Sequence, residues 1–121
     1  MVQYAEDRSS ITQFELGEMF EKNDKARDYR SAFRWYLYSA KHGYRKAQHH
    51  LGTMYARGQG VAQDYAQAYA WCKVAVFQNS KRAKRKLEVI ETKLSLEQLR
   101  LGRRLAQDYY DTFVTRRHKE N

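Results

Sequence analysis

A chain of 121 residues with 23 Lys and Arg against 14 Asp and Glu has the length of one domain, with a core of limited size and a surplus of positive charge. The absence of proline, six glycines in all and the many Ala, Leu, Lys, Arg, Glu and Gln argue against a sheet and for an all-α fold. A lone cysteine, Cys72, excludes an intrachain disulfide and a cysteine-based zinc site, and no apolar run is long enough to span a membrane.

Residues 1–10 lack the apolar core of a secretory leader, so the expected location is cytoplasmic, or periplasmic if a leader has been removed by cleavage. The first helical stretch, 12–23, carries Phe14, Leu16, Met19 and Phe20 and is followed by Asn23-Asp24-Lys25. Asp28 then starts a second apolar-periodic run through Ala32 and Trp35 that ends at Gly43. The next helix, 47–58, places Leu51, Met54 and Tyr55 on one face before the Gly58-Gln59-Gly60 turn. Asp64 opens a further run through Ala68, Trp71, Cys72 and Ala75, which Asn79 ends.

These two halves are copies. Leu16, Gly17, Met19 and Phe20 overlay Leu51, Gly52, Met54 and Tyr55 at an offset of 35, while Asp28, Tyr29, Ala32 and Trp35 overlay Asp64, Tyr65, Ala68 and Trp71 at 36. A repeat of that length predicts stacked helical pairs. Gly17 and Gly52 each cost about 1 kcal/mol relative to Ala in a helix interior, so their recurrence predicts close passage of another helix, with Ala32 and Ala68 as the facing positions. Trp35 and Trp71 are expected to fill the space between successive pairs, and Asp28 and Asp64 to cap the second helices. Gly43 and Asn79 suit the left-handed conformation that closes a helix.

A third unit begins with Ala83 and Leu87, but Glu88 replaces the expected glycine. Ser95-Leu96-Glu97-Gln98 is a capping-box signature for a new helix. On it Leu99, Gly102, Leu105, Ala106, Tyr109, Tyr110 and Phe113 share one face, opposite Glu97, Arg100, Arg104, Asp108 and Asp111, as an end cap of a stack requires. Ala106-Gln107-Asp108-Tyr109 repeats Ala62-Gln63-Asp64-Tyr65, yet no turn precedes it, so one continuous helix is expected there. The organisation is therefore one helical-repeat domain over 1–121: repeat 1 at 11–43, repeat 2 at 44–79, a half-repeat at 80–94, a capping helix at 95–115 and a frayed tail at 116–121.

Few residues suggest chemistry. His49 and His50 are neighbours and point about 100° apart on a helix, so they cannot hold one metal from the same face, and His42 lies near the preceding helix end. Cys72 reads as a packed, unreactive thiol. No Ser/His/Asp order, phosphate loop or paired carboxylates stand out, and Gly58-Gln59-Gly60 follows a helix rather than a strand, against a dinucleotide site. No enzymatic activity, metal or cofactor is expected.

The charged features are more pointed. Residues 1–60 carry 10 basic against 7 acidic side chains and residues 61–121 carry 13 against 7, and the excess is densest at Lys81, Arg82, Lys84, Arg85 and Lys86. With Ser80 as cap, these cations occupy the opening turns of a helix, where its dipole disfavours them. A solvated face is the plain reading, an acidic protein partner the next, and nucleic acid or anionic lipid the last, because no aromatic residue interleaves the run.

The pattern Leu-Gly-x-Met-Tyr, Gly-x-Gly-Val-x-x-Asp-Tyr-x-x-Ala and Trp over Leu51 to Asn79, with its partial copy at 11–43, resembles the Sel1-like repeat, a relative of the tetratricopeptide repeat. Two departures are Ala62, where the family has proline, and Asn23-Asp24-Lys25, which replaces the Gly-x-Gly turn and predicts a less sharply defined first turn. The resemblance implies an alpha-alpha superhelix, a short right-handed solenoid acting as a non-catalytic scaffold or adaptor. It also implies that the first helices line a concave groove, with Phe14, Glu18 and Glu21 from the first unit, His49, Thr53 and Arg57 from the second, and Arg85 and Val89 from the third. That set runs from acidic to basic, and its expected occupant is an extended or helical segment of a partner protein. Nucleic-acid or anionic-surface binding through the basic C-terminal half is one alternative, and self-association as a homodimer is another, since two repeats and a half fall short of the roughly three a stable stack needs.

Overall fold

The computed structural model describes residues 8–23 and 28–115. Asn23-Asp24-Lys25 and the tail at 116–121 therefore fall wholly or partly outside the described residues, and the structure does not bear on the expectations made for them. The described residues form α1 (Arg8–Lys22), α2 (Tyr29–Lys41), α3 (Arg45–Arg57), α4 (Tyr65–Phe77), α5 (Lys81–Glu91) and α6 (Leu96–Tyr110), with a π-helical turn at Asp111–Thr115 and no strand among them. This is an all-α superhelical repeat.

Local chemistry starts and stops the helices. Asp28 accepts the Ser31 backbone N–H at 3.0 Å and its hydroxyl at 2.6 Å, which hold the carboxyl below its ordinary value, and Asp64 accepts the Gln67 N–H at 3.1 Å. Ser80 accepts the N–H of Ala83, and Ser95 and Gln98 close a reciprocal capping box. Gly58 ends α3 at φ 69°, and Gly43 and Asn79 close the two units at φ 88° and 67°.

Each of the first two units is an antiparallel hairpin. In the first, the Ser39 hydroxyl donates to the Ser10 carbonyl at 2.6 Å near one end, and the Tyr36 hydroxyl donates to Glu21 at 2.6 Å near the other. The glycines do mark close crossings, but Ala32 and Ala68, though fully buried, are not the side chains that close over them. A methyl group added at Gly17 would meet the Tyr36 ring at 2.6 Å, and one at Gly52 would strike the Cys72 sulfur. Helical side chains lean towards the N-terminus, so the residue one turn after each alanine covers the spot.

One register device recurs through side chains. Gln13 on α1 meets the His42 ring at 2.9 Å, while Gln48 on α3 is hydrogen-bonded by Gln78 and itself donates to the Ala40 carbonyl at 3.1 Å. His42 and Gln78 hold equivalent places just past the second helices. His42 is thus occupied in packing the hairpin, and Gln48 is fully buried with its amide satisfied.

The C-terminal helix lies differently from a stacked third pair. α6 packs chiefly on α4 rather than on α5, and its Gly102 lets the Tyr69 ring and the Ala66 carbonyl approach. Trp71 stacks on Tyr109 with centroids 4.6 Å apart and on Phe113 at 5.9 Å, and Tyr109 donates to Gln67 at 2.8 Å. α4 is consequently covered by α3, α5 and α6, which explains why its apolar residues run all round instead of along one stripe. Trp35, at the place of Trp71 in the first unit, is only partly buried, and its ring meets Tyr38 of its own helix. No described helix covers α2 as α6 covers α4, so Trp35 does not fill an inter-pair space.

Candidate functional site

α1, α3 and α5 together border two neighbouring concavities, of about 770 Å³ and about 240 Å³, with His49 and His50 lining both. Phe14 and Glu18 of α1 and Arg85 of α5 line the larger part, and Glu21, Thr53 and Arg57 line the smaller. Val89, 54% exposed, continues the α5 surface beyond Lys86 but lines neither part. The basic run meets the same surface: Lys81, Arg82 and Arg85 border the larger cavity and Lys86 the smaller, whereas Lys84 lines neither.

The run wraps a helix, so it cannot all face one way. Ala83, Leu87 and Ile90 are buried, the last two against Ala68, Tyr69 and Cys72 of α4, which turns side chains flanking them along the groove. Sequence reasoning missed Arg45, Lys46 and His50. Arg45 and Lys46 stand 36 residues before Lys81 and Arg82, so the repeat offset itself was the signal that would have placed them there.

Aromatic packing fixes the floor. Phe14 is 7% exposed, with the Tyr44 ring at 5.3 Å and the His50 ring at 5.0 Å, both edge-on, and the Tyr36 ring tilted at 5.4 Å. His50 is further held by the Lys46 carbonyl, 2.9 Å from its Nδ1. Burial, with His50, Lys86 and Arg82 nearby, lowers the His49 pKa to about 4, so its imidazole is neutral at pH 7. Tyr36 is pushed upward by burial and by its bond to Glu21, so its phenol stays protonated.

No group of three or more His, Cys, Asp or Glu able to hold a metal occurs among the described residues. Cys72 is buried in the α3–α4 crossing, and desolvation raises its pKa to about 12, which removes the thiolate a nucleophile needs. No helix among the described residues is long and apolar enough to cross a membrane.

The hairpins fall within two matches to the Sel1 repeat, at residues 10–44 and 45–83. The chain belongs to the Sel1 repeat family. Its fold is similar to that of a protective antigen present in uropathogenic Escherichia coli strains, which displays an SLR fold, with TM-score 0.84 and 29% identity over 89% of this chain and 24% of that one. A Sel1 repeat protein from Oxalobacter formigenes superposes with TM-score 0.66 and 26% identity over 84% of this chain and 44% of its own. The chain thus spans less than half the length of either. No curated protein matches it. Sel1 repeats in general mediate protein interactions, and the family is generally a non-enzymatic scaffold.

Proposed function

We propose that this Sel1 repeat chain is a non-catalytic interaction module that holds a segment of a partner protein in the trough along its first helices. The supporting observation is adjacency: the two concavities share His49 and His50, and their linings together draw on α1, α3 and α5. Its floor is rigid because Phe14, Tyr36 and Met54 are buried beneath it. A preformed trough costs a ligand less ordering than a mobile one. Helical and extended segments both fit this mode, with side chains filling the trough and charges setting direction.

Photocrosslinking from inside the source cell tests the reading. A photoreactive residue at Thr53, in the trough, is expected to trap a partner that the same residue at Arg34, exposed on α2, does not. Identical adducts from both positions would place the binding surface elsewhere.

A further inference from the structure

The charge on the trough is lopsided, and the repeat shows where the asymmetry comes from. Eight lining side chains are cationic and two are acidic, Glu18 and Glu21. Both acids already have partners, Glu18 in Lys22 at 3.2 Å and Glu21 in the Tyr36 hydroxyl. Among the described residues no carboxylate lies within ion-pair distance of Lys81, Arg82, Arg85 or Lys86.

Equivalent places carry Arg45 and Lys46 on α3 and Lys81 and Arg82 on α5, but Ser10 and Ile11 on α1. Two adjacent helix N-termini therefore present four cations, an arrangement the helix dipole opposes, and of these Arg45 also donates to the Gln78 carbonyl at 2.8 Å. An incoming carboxylate relieves that opposition.

We propose that the trough takes an acidic segment of a partner protein, its carboxylates against the N-terminal turns of α3 and α5 and its less acidic end towards Glu18 and Glu21. The inference rests on the groove reading above. A nucleic-acid strand fits less well, because Glu18 and Glu21 would face an unbroken line of phosphates. The larger aromatic rings of the floor offer bases little stacking face, since Phe14 is 7% exposed and Tyr36 fully buried.

The probes are a short fluorescein-labelled peptide of Glu and Leu, its Gln and Lys counterparts, and a single-stranded DNA of equal charge, with binding read by anisotropy on the full chain. The Glu peptide is expected to bind best, with affinity falling as salt rises. The doubly reversed variant Arg82→Glu/Arg85→Glu is expected to weaken it about tenfold or more. Lys84→Glu/Lys93→Glu changes net charge equally but lies outside both cavities, and is expected to stay within about twofold. All four positions are exposed, so the fold tolerates the changes.

Equal loss in both variants, tighter binding of the DNA, or no binding of the Glu peptide at low salt would overturn the proposal. If the Gln or Lys peptide binds as tightly as the Glu peptide and is displaced by Thr53→Trp, acidity is wrong and the groove reading stands. If Thr53→Trp leaves every probe bound, the groove reading itself falls.

Discussion

The two Sel1 units share a signature and differ in what it buries. In the second, Leu51 is fully buried, Met54 is 3% exposed and Trp71 is 2% exposed. In the first, the matching Leu16 and Trp35 are only partly buried and Met19 is 67% exposed. The second unit has α2 in front of it, with Phe33 edge-on to Tyr55 at 5.3 Å, and α6 behind it. The first has α3 against its α2 but, among the described residues, no helix in front of it and none lying over α2 as α6 lies over α4. The motif therefore encodes a hairpin with two stacking faces, and burial is a property of the neighbours.

The largest expected contrast lies at the tryptophans. Trp71→Ala leaves a cavity between Tyr109 and Phe113 and is expected to cost about 3–5 kcal/mol, against about 1 kcal/mol for Trp35→Ala, by urea denaturation. Equal losses would mean that the first unit is as well covered as the second. Next, Met54→Ala is expected to cost about 2–4 kcal/mol and Met19→Ala to stay within about 0.5. A large loss at Met19 that grows with protein concentration would show that another copy covers it.

At the helix crossing, Gly52→Ala is expected to cost about 1–3 kcal/mol, because the new methyl strikes the Cys72 sulfur and lies 3.2 Å from the Ala68 carbonyl. Adding Cys72→Ala should recover part of that loss. No recovery would assign the obstruction to the backbone alone.

The smallest effect is set by pH. Where the first unit has Phe14, the second has His49, whose pKa in the fold is about 4 rather than the ordinary 6.5. As pH falls from about 6.5 to about 4, the unfolded chain takes up a proton that the folded chain refuses. Stability should decline across that window, and His49→Gln should flatten the decline seen in denaturant midpoints at pH 7 and 5. An unchanged slope would show that His49 is more open to solvent than its packing implies.

The trough was partly legible for the same reason as the hairpins. Its first-helix positions follow from the repeat offset, which located Phe14, Glu18, Glu21, His49, Thr53, Arg57 and Arg85 along it. Val89 lies on the exposed α5 surface outside both concavities, because an offset gives a helix face and not where a concavity ends. That the basic run and the trough are one surface needed α3 and α5 set side by side.

By itself the sequence determined what is local: helical periods, caps reaching three residues, and the left-handed residues Gly43, Gly58 and Asn79. Each depends on side chains and backbone within one or two turns, so neighbouring letters suffice. Tertiary structure alone decided that Tyr36 and Cys72 cover the glycines, that Gln13 and Gln48 latch the hairpin ends, and that α6 lies on α4 instead of pairing with α5. Those outcomes join residues some 15 to 42 positions apart, from the Tyr36–Glu21 bond to the Tyr109–Gln67 bond, and depend on which apolar face finds a partner first-hand in space. One motif can thus fold the same way twice and be buried to different depths.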